Sequence, residues 1–429
     1  MRTVNAKVKI ARAAGTLAAS LMLLGLSTGA SAQVVVARSD YPAGYVVLPK
    51  VVVHTTGSPS DPVLPGGIAT DTLIQITNTN QQEPITVDCW WVNANKHCGN
   101  DDGPICETNA DCALGLQCVQ GWRANDFQVI LTPGQPIGFA ASSGLSTIPC
   151  DTTFPGPQCA TEAGGSVAFV PEDPFRGELK CVQVDENDVP VVENDLKIEA
   201  TIISTTAGGG GTATTAAAYN GVGFEAQTEG AGGATGPLCL GTLPPGAGAG
   251  VECAANYAPC PGVLHLEHFF ENAETELGSF VTTDLTLVPC SEDLGNAANQ
   301  ANLTITAQML IYNEFEQRFS TNSRVQCYSA TRLSDIDTQP GPAGDQFSIF
   351  NVGIQGTITG QTRIRGVRGP DGQFGYGLLG VGCEMHAATL GGPAVATTAF
   401  NVQHVGFRAE GDAVYKSEFP VGPTPTPGP

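Results

Sequence analysis

The sequence predicts an all-β protein of two related antiparallel β-sandwich domains, stapled by disulfides. Short runs rich in Val, Ile, Thr and Phe recur between Gly, Pro, Asn and Asp, and helical periodicity is almost absent. Fourteen cysteines all lie beyond an export signal. Landmark residues recur in the same order in the two halves.

Residues 1–32 read as a signal peptide. Arg2, Lys7, Lys9 and Arg12 form a positive start, an apolar run covers 17–26, and Ala30-Ser31-Ala32 offers a cleavage site. The apolar run is too short to span a bilayer, and no later one reaches spanning length, so no transmembrane segment is expected after cleavage. The leader takes four of the 19 basic residues and none of the 41 acidic ones. The remaining chain is strongly acidic, which excludes a nucleic-acid partner. Only 14% of residues are charged, and the 53 Gly and 30 Pro suit turns between strands.

The strand-like runs fall at 45–53, 72–77, 127–131, 196–203, 280–288, 307–312 and 347–358. Five landmark pairs suggest a duplication. Ile76-Thr77-Asn78 matches Ile311-Tyr312-Asn313 with Cys89 and Cys327 following, Asp126-Phe127 matches Gln346-Phe347, and Leu179-Lys180-Cys181 matches Val381-Gly382-Cys383. Tyr219-Asn220 matches Phe400-Asn401, and V-G-F-x-A at 222–226 matches the same motif at 405–409. Domain one is placed at 33–235 with a cysteine-rich insert at 98–118, and domain two at 265–416. A Gly/Pro/Cys linker covers 236–264, and a Pro/Thr tail covers 417–429. Segments 67–230 and 300–412 should share one strand order.

The duplication predicts one bridge per copy, Cys89–Cys181 and Cys327–Cys383. Local spacing predicts Cys150–Cys159, Cys239–Cys253, Cys260–Cys290 and two bridges among Cys98, Cys106, Cys112 and Cys118. The insert lacks the close cysteine pairs of a zinc site. Asp101, Asp102 and Asp111 are its candidate oxygen ligands for calcium, although the spacing is not that of a calcium loop. Otherwise no cofactor is expected.

Trp90 and Trp91 alternate on a strand, so one indole should face outward and offer a surface for a sugar ring. Arg363, Arg365 and Arg368 form a small anion-binding stripe. His265, Glu267, His268 and Glu271 do not make H-E-x-x-H, and a strand puts the two histidines on opposite faces. Glu314, Glu316 and Arg318 alternate with Phe315, Gln317 and Phe319 as one solvated strand face. No G-x-S-x-G or P-loop occurs, so no catalytic residue is assigned. The function expected is a non-catalytic binding or structural role at the cell surface or outside the cell, with a glycan or protein ligand. A secreted hydrolase of glycans or peptides and a calcium-dependent adhesion module are the alternatives.

Overall fold

A computed structural model describes residues 37–55, 67–100, 102–145, 167–208, 211–241, 252–276, 278–295, 304–340, 346–367, 377–392, 394–408 and 411–416. The predicted leader, the Pro/Thr tail, Asp101, Arg368 and the Cys150–Cys159 bridge fall outside the described residues.

The chain is all-β, with several antiparallel sheets and five disulfides among the described residues. The first half contributes β1 (Tyr45–Val53), β2 (Gly67–Asn78), β3 (Ile85–Asn93), β4 (Lys96–Cys98), β5 (Cys118–Gln120), β6 (Arg123–Leu131), β7 (Pro136–Ala140), β8 (Phe175–Val184), β9 (Leu196–Gly208), β10 (Gly211–Asn220) and β11 (Val222–Phe224). Next come β12 (Ala226–Glu229), β13 (Leu238–Leu240) and β14 (Ala255–Tyr257). The second half contributes β15 (Pro261–Phe269), β16 (Phe280–Pro289), β17 (Glu292–Asp293), β18 (Thr304–Asn313), β19 (Arg318–Gln326), β20 (Ser329–Arg332), β21 (Thr338–Pro340), β22 (Gln346–Ser348), β23 (Thr359–Val367), β24 (Leu378–Ala387), β25 (Ala394–Asn401), β26 (Gln403–Phe407) and β27 (Asp412–Tyr415).

In the first half, the sheet β11-β1-β8-β3-β6 faces the sheet β10-β9-β2-β7. Leu48, Cys89, Trp91 and Phe127 of one meet Ile74, Ile76, Ile198 and Ala200 of the other. In the second half, β26-β15-β23-β18-β19 faces β25-β24-β16-β20. Leu264, Leu266, Met309 and Ile364 there meet Leu285, Leu287 and Leu378. Leaving out the hairpins β4–β5 and β21–β22 and the short β17 and β27, each half has nine strands in the same spatial arrangement. Counted from the start of each half, both have the orders 9-1-6-3-4 and 8-7-2-5.

The register explains which landmarks align. Val222–Phe224 and Gln403–Phe407 are both ninth strands, and Tyr219-Asn220 and Phe400-Asn401 both end eighth strands. The other landmarks fall on unlike strands. Ile76 is on a second strand and Ile311 on a third, while Cys181 is on a sixth and Cys383 on a seventh. Phe127 is on a fourth strand, whereas Phe347 lies in the extra hairpin.

This corrects the predicted Cys327–Cys383 bridge. Cys89 and Cys181 are directly opposite on β3 and β8 and are bonded. With Val222–Phe224 aligned on Val405–Phe407, the positions of Cys89 and Cys181 are taken on β18 and β23 by Ala307 and Gly366. Cys383 instead pairs in register with Asp284 and Ala399, and neither Cys327 nor Cys383 enters a disulfide. The two belong to different core layers. The remaining bridges described are Cys98–Cys112, Cys106–Cys118, Cys239–Cys253 and Cys260–Cys290.

The segment 236–264 is not a linker in its described parts. β13 and β14 join the sheet β12-β14-β13-β27-β17, whose Leu238, Leu240, Ala255, Tyr257 and Val414 cover a second face of the first sheet. That face carries Tyr45, Val47, Trp90, Val92 and Val182. The run 347–358 is also corrected. It holds the end of β22 and a one-turn helix, Val352–Gln355, capped by Asn351 and ended by Gly356 at φ 70°. No helix among the described residues is long and apolar enough to cross a membrane.

β1 shows how local chemistry positions these layers. Pro49 cannot donate to a ladder, and the register with β8 shifts between Leu48 and Val51. Tyr219 serves the bulge, accepting from the Lys50 amide at 3.2 Å and donating its hydroxyl to the Lys50 carbonyl. The Lys50 side chain then crosses to Asp284 on β16, with Nζ 2.5 Å from Oδ2 and 2.9 Å from Thr286 Oγ1. Burial alone would push the Lys50 ammonium down, but the Asp284 carboxylate outweighs this and holds it above its ordinary range.

Removing one partner of a buried ion pair leaves a bare buried charge. Lys50→Met and Asp284→Leu should therefore each cost about 3–5 kcal/mol in urea unfolding. The double substitution should cost far less than the sum, and additive costs would show that the pair does not couple β1 to β16.

Candidate functional site

The predicted site residues do not converge. Trp90 and Trp91 do point to opposite faces, but both are buried. Trp91 lies in the first core and donates Nε1–H to the Ala168 carbonyl at 2.9 Å, while Trp90 packs in the layer facing β13 and β14. Neither offers a surface to a sugar, because the third sheet covers the face that would otherwise be wet. Asp102 pairs with Arg123 at 3.1 Å. Asp111 accepts from the amides of Glu107 and Thr108, which hold its carboxyl below the ordinary range. Each is committed to a neighbour within the fold. Among the described residues the one three-donor cluster with metal spacing is Cys98, Cys106 and Cys112, whose sulfurs are used in the disulfides of the insert.

β15 places His268 inward with Leu264 and Leu266, and Glu267 outward. His268 lies between its own Nδ1 contact to the Phe269 carbonyl at 3.1 Å and an Nε2 contact to Thr362 Oγ1 at 2.8 Å. Burial lowers its pKa to about 4, so the ring is neutral at pH 7. Glu271, past the strand end, accepts from Thr282 Oγ1 at 3.0 Å, and burial raises its carboxyl to about 7.

The residues 314–317 form a turn between β18 and β19, not a strand face. Asn313 Oδ1 accepts from the amides of Phe315 and Gln317, and Glu316 takes φ 59°. Glu314 bends back onto β23, accepting from the Thr359 hydroxyl at 2.7 Å and the Thr359 amide at 3.0 Å, which lowers its pKa.

This turn borders a groove of about 810 Å³ at the end of the sheet where β15 and β18 finish and β23 begins. Glu267, Glu314, Glu316 and Glu384 supply four carboxylates, against the single guanidinium of Arg363. Arg363 lies 5.6 Å from the centre of the Tyr312 ring. Phe269 and Phe400 add apolar surface. Burial raises the Glu384 pKa, partly offset by His386. Arg365 is exposed and donates Nε–H to Gln308 Oε1 at 2.9 Å, outside the groove lining.

Next to the groove, β15 is half open. β26 pairs with it only from Pro261 to His265. Over residues 266–269 its one partner strand among the described residues is β23. Such an edge offers backbone donors and acceptors to another extended chain. Glu267, Glu314, Glu316 and Arg363 were visible as charged positions on short motifs. Glu384 and Phe400 carry no linear signal, because they reach the groove from the facing sheet.

No protein-family model matches the chain. No curated protein matches it either. Among solved structures, the CupB6 tip adhesin from Pseudomonas aeruginosa aligns over 87% of this chain and 100% of its own, at 7% identity and a TM-score of 0.13. A likeness of that size carries no argument.

The buried His268 predicts a pH effect. The unfolded ring takes a proton near its ordinary 6.5 and the folded one only at about 4. Its contribution is therefore intact above pH 6.5, falls as pH drops toward 4 and levels off below, by about 3 kcal/mol in all. The stability difference between the native chain and His268→Gln, measured in urea from pH 7 to 4, should change by that amount. A difference constant with pH would show that His268 is not held neutral.

Proposed function

We propose that the protein is an exported, non-catalytic binding or structural protein acting at the cell surface or outside the cell. Its site is the acidic groove beside the open half of β15, and its ligand is an extended cationic polypeptide segment. Five disulfides among the described residues support an oxidising compartment. The groove carries the reading, because among the described residues four carboxylates face one guanidinium beside a stretch of β15 that pairs on one side only. Backbone pairing on that edge would supply affinity, and the carboxylates would select Lys and Arg. The same nine-strand order in both halves supports two related sandwich domains that arose by duplication.

One observation favours a second reading. Glu384 is pushed up and Glu314 down within one groove, the split that lets one carboxyl act as acid and another as base. That reading is a secreted hydrolase.

Calorimetric titration with Lys/Arg-rich, neutral and acidic peptides distinguishes these. The cationic peptide should bind alone, more weakly as salt rises, and at least about tenfold more weakly to Glu267→Gln/Glu314→Gln/Glu316→Gln. Equal binding of all three peptides, or none, contradicts the proposal. Turnover of a glycan or peptide panel that is lost in Glu384→Gln would establish the hydrolase instead.

A further inference from the structure

A second cluster lies far from solvent, between the first sheet and the third. Glu178 and Lys180 are two residues apart on β8 and so share a face. On that face Lys180 stands opposite Trp90 of β3 and Val47 of β1. Glu292 reaches the same point from β17, which is held in parallel register by β27. Lys180 Nζ lies 3.1 Å from Glu178 Oε2 and in closer contact with Glu292 Oε1. The three side chains are 1%, 0% and 0% exposed. Beyond Lys180, no hydrogen-bond donor among the described residues reaches any carboxylate oxygen of Glu178 or Glu292.

This is a poor ion pair and a good reaction geometry. Two carboxylates share one ammonium in an apolar layer, so charge is not balanced and desolvation is not compensated. The other buried lysine shows the contrast. Lys50 meets one carboxylate and a hydroxyl, and its ammonium is held up. Burial instead lowers Lys180 despite Glu178, and raises Glu178 to about 7. Both shifts favour a neutral amine beside a protonated acid, the form in which a lysine is a nucleophile.

We propose that Lys180 and Glu292 become joined by an amide bond within the folded chain, with Glu178 as the proton carrier. Glu178 takes one proton from the ammonium. The freed Nζ lone pair attacks Cδ of Glu292. One carboxyl oxygen of Glu292 leaves as water, its two protons coming from Nζ and from Glu178. Nζ keeps one hydrogen in the new amide, and Glu178 ends as a carboxylate. The step consumes no oxidant, reductant or cofactor. Fixed contact replaces collision, and the dry layer opposes hydrolysis of the product. The bond ties β8 to β17, and so the first sheet to the third.

Mass spectrometry of the full exported chain, reduced and alkylated, tests this without any variant. The chain should be lighter by one water than its sequence, and digestion should yield the Lys180 peptide joined to the Glu292 peptide. Full mass, or a Lys180 peptide recovered unlinked, overturns the proposal. Glu178→Gln keeps both reacting groups and should accumulate the unlinked chain, as Lys180→Met must. Linking as complete in Glu178→Gln as in the native chain overturns the role given to Glu178.

Discussion

Coverage of both faces of the central strands is the constraint on which the rest depends. All nine residues of β1 are buried, and β3 and β8 are nearly as enclosed. One face meets the sheet β10-β9-β2-β7 and the other meets β13 and β14. A polar group there has no water to turn to, so it must find a partner in the protein. The Lys50 backbone finds Tyr219, and its ammonium finds Asp284. Lys180 finds Glu178 and Glu292. Such contacts add little net stability, yet losing one partner is costly. They therefore set how the layers sit on one another. The described residues, from 37 to 416, accordingly belong to one compact unit.

The outer sheet of the second half obeys a different rule. β19 alternates between exposed and partly covered residues, and the outward positions of β23 carry Arg363 and Arg365. With one wet face, this sheet can hold charge cheaply. The acidic groove sits here, at the end where β26 stops short along β15. The corresponding stretch of β1 is occupied by the Lys50 bulge and its contacts to β16. The halves thus share a strand order but differ in what covers the first strand.

The sequence was most legible where one strand or one short loop decided the outcome. β1 and β16 are readable as apolar β-branched runs, and the bridges Cys239–Cys253 and Cys260–Cys290 follow from short separation. Opposite orientation of His265 and His268 follows from period two. The same rule misleads at Trp90 and Trp91, since it separates two faces without saying which is wet. Glu314 to Gln317 alternate in chemistry like a strand, but Asn313 captures the amides of Phe315 and Gln317 and turns the chain. Cys327 and Cys383 are spaced like a bridge across one domain, yet the register puts Ala307 and Gly366 at the bonded position. The groove was unreadable as a whole, because Glu384 and Phe400 join it only through the facing of two sheets.

Differential scanning calorimetry of the chain from residue 33 tests most directly whether these layers form one cooperative body. Val381, Cys383 and Ala399 of the second half lie in the core of the first, and Val288 and Leu379 share a layer with β1, so melting either half strips buried surface from the other. A single transition is expected, with equal calorimetric and van't Hoff enthalpies. Two separable transitions, each carrying a substantial part of the enthalpy, would contradict the account and make the halves independent domains.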